Sequence, residues 1–122
     1  TVVASNLHAD ILTDLAASLS GSMGIAPTAN LDPDKRHPSM FEPIHGSAFD
    51  IMGKGIANPI GSYWSAVLML ENLGELQAAQ KLMFAIEKLT EDKKVLPKDL
   101  GGKSTTKQIT KAMIDIISGK NN

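Results

Sequence analysis

Apolar residues recur at helical spacing in four stretches of this chain and at extended spacing in three shorter ones. Ile11, Leu12, Leu15 and Leu19 fall on one stripe, predicting an amphipathic helix from about His8 to Leu19 that Gly21 and Gly24 stop. Asp10 and Asp14 sit away from that stripe, on a face of their own. Trp64, Ala66, Val67, Leu68, Met69 and Leu70 make a helix from Ser62 to Leu73 apolar nearly all round, as in a helix buried on several sides, and Gly74 closes it. Leu76, Ala79, Leu82, Met83, Ile86 and Leu89 give a cleaner amphipathic helix. Ser104 is expected to cap a last one, striped by Ile109, Ala112, Met113, Ile116 and Ile117. Val2, Val3 and Ala4 read as a short buried strand that meets a helix cap at Ser5-Asn6. Residues 23–31 read as extended, with Pro27 at an edge or a bend, and Met40 to Ile44 as a further strand beyond the solvated loop LDPDKRHPS. The class is α/β or α+β with helices dominant, and no internal repeat stands out.

One stretch follows neither period. In FEPIHGSAFDIMGKGIANPIG, residues 41–61, Gly46, Gly53, Gly55, Gly61, Pro43 and Pro59 interrupt any regular element. An irregular run longer than about 12 to 15 residues is usually a functional loop or a disordered one. Phe41, Ile44, Phe49, Ile51, Met52, Ile56 and Ile60 supply apolar anchors that a disordered linker lacks, so a binding loop is the leading idea.

Length and charge narrow the partners. A chain of 122 residues is one domain by length and can bury roughly two thirds of its unfolded surface. Twelve basic against 13 acidic residues, with no run of like charges, suggests neither a nucleic-acid surface nor a polybasic membrane patch. Cysteine is absent, which rules out disulfides and thiolate metal sites and makes the cytoplasm the default location. There is no initial methionine, signal-like leader or span of roughly 20 apolar residues, so the chain is expected to be soluble and either unprocessed or a piece of something longer.

Asp10 and Asp14, one turn apart, project from the same side of the first helix. They are either an ordinary solvated acidic face or a pair of hard oxygen ligands, which would suit magnesium or manganese rather than zinc. In the long loop, His45-Gly46-Ser47-Ala48 sets a planar ring beside a glycine where a ligand can approach the backbone and phosphate oxygens can meet successive amides. Asp50 can accept both hydroxyls of an adenosine ribose; a 2'-phosphate at about 4 Å would be repelled by about 1 to 4 kcal/mol, which favours NAD over NADP. His45 satisfied within its own loop, and Asp50 or Asn58 as turn-forming residues, are the plainer readings. The sequence has no GxGxxG after a strand, no GxxxxGK[ST] and no GxSxG, so any nucleotide site here is built differently. The apolar helix residues and scattered lysines read as core and solvated faces.

Taken together, SNLHADILTD, GSMGIAPTANL, FEPIHGSAFDIMGKGIANPIGSYWSAVLML and DLGGKSTTKQITKAMIDII resemble the β-decarboxylating dehydrogenases, the isocitrate and isopropylmalate dehydrogenase family, over essentially the whole chain. GIAPTANLDPDKRHPSMFEP and ANPIGSYWS are most similar to its tartrate/D-malate branch. The resemblance implies a helix-rich C-terminal third of that α/β fold, incomplete as a domain. Residues 1–22 would end the small domain for dimerisation and metal binding, and residues 23–122 would form the second half of the large cofactor-binding domain. It implies a metal-dependent, NAD-linked oxidative decarboxylase of a 2-hydroxy dicarboxylic acid, working as a homodimer. Asp10 and Asp14 would help hold Mg²⁺ or Mn²⁺. His45 would lie against adenine, Gly46, Ser47 and Ala48 would line NAD, Asp50 would accept the ribose hydroxyls and Asn58 would contact adenine. NADP-using members carry lysine and tyrosine in place of Asp50-Ile51, which agrees with the charge argument.

The sequence also departs from the family pattern. His8-Ala9 stands where phenylalanine and glycine are common, and Phe49 replaces a frequent proline. Dicarboxylate recognition favours arginine forks, yet the single arginine is Arg36, in a charged loop. The family's three arginines, catalytic tyrosine, and the lysine and further aspartate from the partner subunit have no match, so no catalytic residue is assigned and the chain alone is expected to be inactive. A non-catalytic nucleotide-binding or interaction module, or a piece of an isopropylmalate dehydrogenase, is the alternative.

Overall fold

The computed structural model describes residues 2–120. The elements are α1 (Asn6–Leu19), a first 3-10 turn (Met23–Ile25), β1 (Pro27–Asn30), β2 (Met40–Pro43), α2 (Ile60–Leu73), α3 (Leu76–Asp92), a second 3-10 turn (Lys98–Leu100) and α4 (Thr106–Ile117). The helix-dominated reading holds, with corrections at the ends of elements.

The first correction concerns Val2–Ala4, which form no strand: Val2 and Val3 are 81% and 96% exposed. A strand needs a neighbour to take its N–H and C=O groups, and no other described strand reaches these residues. Residues 23–25 wind into a 3-10 turn because the Ser22 hydroxyl accepts the Gly24 N–H at 2.9 Å, so the extended segment starts only at Pro27. Caps also move. Pro59, not Ser62, precedes α2, and Thr105, not Ser104, caps α4 through a capping box with Gln108.

β1 and β2 pair antiparallel in the register Pro27↔Pro43, Thr28↔Glu42, Ala29↔Phe41 and Asn30↔Met40. Their loop is organised by Asp32, whose carboxylate accepts the N–H groups of Asp34, Arg36 and His37 at 3.1, 2.9 and 2.8 Å. The hydrogen bond from His37 is the main cause holding the Asp32 carboxyl below its ordinary pKa.

The core joins Ile60 and Val67 of α2, Ala79, Ala85, Ile86 and Leu89 of α3, and Ile109 and Met113 of α4. α2 lies between the hairpin on one side and α3 on the other, which explains its apolar character all round; α4 packs on α3. Gly61 lets α2 approach closely: a Cβ there would stand 3.0 Å from the Gly24 carbonyl oxygen and 3.3 Å from Pro43 Cβ.

α1 behaves differently. Its predicted apolar stripe faces solvent, with Ile11, Leu12, Leu15 and Leu19 from 52% to 81% exposed, while Ala17 is its one buried residue. Ala17 shares a face with Asp10 and Asp14 at i+7 and i+3, so the acidic side of α1 is the one turned toward the first 3-10 turn. No described helix is long and apolar enough to cross a membrane.

Candidate functional site

The irregular segment keeps a defined shape through its anchors. It leaves β2 with the Ile44 N–H donating to the Ala26 carbonyl at 3.1 Å, one step beyond the paired strand. Two successive turns follow, the Ile51 N–H donating to the Ala48 carbonyl at 3.0 Å and the Lys54 N–H to that of Ile51 at 3.1 Å. Ala48 adopts φ 45°, a left-handed conformation that costs a non-glycine residue on the order of 1 to 2 kcal/mol. Strain of this kind persists where surrounding contacts over-determine it, and it concentrates at binding loops.

The end of the loop is tied from behind. Thr106, the first residue of α4, donates its N–H to the Gly55 carbonyl at 2.9 Å and its hydroxyl to the Ala57 carbonyl at 2.5 Å. Asn58 uses both ends of its carboxamide: Oδ1 accepts the Ile60 N–H at 2.9 Å, and Nδ2 donates to Asp99 Oδ2 at 2.8 Å. Any contact from Asn58 to a bound ring therefore falls to its backbone, its one remaining amide hydrogen or the second lone pair of Oδ1.

The residues singled out from sequence lie on the open side. His45, Gly46, Ser47, Ala48 and Asp50 are exposed, and Ile51 is half-buried beneath them. His45 Nδ1 lies 3.1 Å from the Gly46 carbonyl; a carbonyl only accepts, so Nδ1 carries the hydrogen in that bond and Nε2 is left as an acceptor when the ring is neutral. A Cβ at Gly46 would meet nothing within 4 Å, so the backbone there is open to a ligand. Among the described residues no cation pairs with Asp50. Two expected anchors are not anchors: Phe49 and Met52, in the two successive turns, are 76% and 65% exposed.

Asp10 is exposed and Asp14 half-buried on the inward face of α1. The Asp10 carboxylate accepts a hydrogen bond from Asn6 Nδ2 at 3.1 Å, and neither aspartate is ion-paired within the described residues. Two free carboxylates on one helix face suit a hard divalent cation, but among the described residues no third acidic or histidine side chain joins them. The pair fits part of a magnesium or manganese shell and leaves the rest to other donors. Arg36 is no substrate clamp here: it pairs with Asp34 at 2.8 Å on the exposed hairpin loop. Sequence reasoning overlooked Ser22, Asp99 and Thr106, since their contacts join segments 41 to 77 residues apart and leave no local signal.

The family model described as isocitrate/isopropylmalate dehydrogenase matches residues 1–117. A probable tartrate dehydrogenase/decarboxylase of Agrobacterium vitis is 61% identical over 121 residues, 99% of this chain and 33% of that protein. The decarboxylating D-malate dehydrogenase of Escherichia coli (strain K12) is 47% identical over 121 residues, 95% of this chain and 33% of its own length. Among solved structures, isocitrate dehydrogenase from Methylococcus capsulatus aligns with a TM-score of 0.85 at 39% identity, over 92% of this chain and 33% of that one. The chain thus spans about a third of the length of the curated relatives it matches. On the family match over residues 1–117 and the helix-rich, partial α/β architecture it shares with these structures, the chain belongs to the isocitrate/isopropylmalate dehydrogenase family.

Proposed function

We propose that this chain supplies the adenosine half of an NAD site and two metal ligands to a decarboxylating dehydrogenase acting on a tartrate- or D-malate-type 2-hydroxy acid. The observation that carries the reading is the loop itself: Ala48 held left-handed, an open Gly46 backbone, and an unpaired, exposed Asp50 beyond it. The tartrate and D-malate dehydrogenase names of its relatives support the substrate class.

Each residue's task follows from its chemistry. His45 offers a ring face to adenine, Gly46, Ser47 and Ala48 line the cofactor, and Asp50 accepts the 2'- and 3'-hydroxyls while repelling a 2'-phosphate. Ile51 supports that turn from below, and Asn58 shapes the adenine end by holding the loop closed. Asp10 and Asp14 contribute hard oxygens toward Mg²⁺ or Mn²⁺. When bound, NAD would supply a hydride acceptor and the metal would supply Lewis-acid stabilisation of negative charge. On this reading residues 1–22 close a small, dimer-forming domain and residues 23–122 belong to the cofactor domain of a longer cytoplasmic homodimer. The substrate's carboxylates and the reacting carbon are handled by residues outside this chain.

The test is cofactor preference in the full-length subunit carrying this sequence. Asp50→Lys is expected to narrow the advantage of NAD over NADP in kcat/KM by about tenfold or more, because a repulsion of that size becomes an attraction. An unchanged ratio refutes the ribose role.

A further inference from the structure

Asp99 sits in the second 3-10 turn, outside the loop and outside the acidic pair, yet two segments distant in sequence meet on its carboxylate. Asp99 Oδ2 accepts the Ser22 hydroxyl at 2.5 Å and the Asn58 amide at 2.8 Å. Ser22 in turn accepts the Gly24 N–H at 2.9 Å, and Asn58 accepts the Ile60 N–H at 2.9 Å. The cluster therefore runs from the turn on which α1 rests, through Asp99, to the last residues of the loop and the first turn of α2. Gly24 is small for the same reason: a Cβ there would stand 2.5 Å from Asp99 Oδ2 and 3.1 Å from Asn58 Nδ2.

Asp99 and Ser22 are solvent-accessible, so water competes for these hydrogen bonds and they add little to global stability. Their effect is geometric. Asn58 has two alternatives to this arrangement, water or its own backbone, and an acceptor fixed on another segment selects one. With Thr106 holding Gly55 and Ala57, the acceptor at Asp99 completes a rear support for residues 55–60.

We infer that Asp99 is a positioning residue, which through Asn58 and Ser22 fixes the end of the cofactor loop relative to the turn that carries the acidic helix. The inference rests on the NAD reading of that loop. A misplaced loop end weakens cofactor binding while leaving chemistry at the far end of the cofactor intact.

The experiment uses the full-length subunit carrying this sequence. Asp99→Ala is expected to raise the KM for NAD about tenfold, to change kcat by less than about twofold and to leave the ratio of NAD to NADP use unaltered. Asp99→Asn, whose carboxamide oxygen still accepts from Ser22 and Asn58, recovers most of that loss. Asn58→Asp sets two carboxylates against each other and raises the KM for NAD at least as much as Asp99→Ala; adding Asp99→Asn restores a donor and lowers it again. That pair decides the matter if Asp99→Ala does not fold. A folded Asp99→Ala enzyme with parental KM for NAD, or a double variant without recovery, overturns the positioning role. If Asp50→Lys shifts cofactor preference while the Asp99 variants leave the KM alone, the positioning role fails and the cofactor reading stands. If neither responds, both fail.

Discussion

α1 and α4 carry the same kind of sequence pattern and meet opposite fates. Each has an apolar stripe at helical spacing and a polar far side. In α4 the stripe is inside, with Ile109 at 0% and Met113 at 2% exposure against α3. In α1 the stripe is outside, Leu15 being 56% exposed, and the acidic face with Ala17 is turned inward. An amphipathic pattern therefore specifies a helix and a boundary between two faces. It does not say which face the described chain covers, because that depends on what surface arrives to cover it.

The sharpest way to break this comparison is a matched pair of truncations in the 122-residue chain. Ile109→Ala is expected to cost about 2 to 5 kcal/mol in denaturant unfolding, through lost transfer energy and a cavity that α3 cannot fill. Leu15→Ala, in contrast, should fall within about 0.5 kcal/mol of the parent. Equal losses would mean that the α1 stripe is buried in solution.

The helix starts give a smaller contrast. Thr105 accepts the Gln108 N–H at 3.3 Å, and the Gln108 side chain accepts the Thr105 N–H at 2.8 Å, whereas Ser5 makes no such cap and instead meets His8 Nδ1 at 2.9 Å. Thr105→Ala should lower unfolding stability by about 1 kcal/mol, and Ser5→Ala by only a few tenths. Comparable values for the two would remove the capping box as a distinguishing feature.

Smallest is the effect of Asp14→Asn on the chain alone. Relieving the like-charge pair with Asp10 should raise the stability of α1 by about 0.2 to 0.5 kcal/mol, visible as slightly greater helicity in low salt. The sign reverses in the full-length enzyme, where the same substitution should increase the Mn²⁺ concentration needed for half-maximal activity. A metal requirement that stays put would return Asp10 and Asp14 to an ordinary solvated face.

Local signals account for what was legible. The 3.6-residue period located the four described helices, Gly74 marked the end of α2, and the clustering of glycine and proline in residues 41–61 picked out the loop. Errors fell where a neighbour was needed: Val2–Ala4 as a strand without a partner, and Phe49 and Met52 as anchors that are left exposed in the turns. The candidate site divides in the same manner. Asp50 could be singled out because a carboxylate's preference for hydroxyls over phosphate is intrinsic to the group. Asp99 could not, since its importance comes from Ser22 and Asn58 arriving from 77 and 41 residues away.

By itself, then, the sequence determined the helices, the position of the irregular loop and the chemistry its exposed groups can offer, for periodicity, capping and charge act between near neighbours. Only the tertiary structure decided that α1 turns its Asp14 and Ala17 side inward, that α2 is sandwiched between hairpin and α3, and that Asp99 and Thr106 brace the loop from behind. Those outcomes depend on surfaces and hydrogen-bonding groups brought together from distant parts of the chain, where no local pattern records the partner.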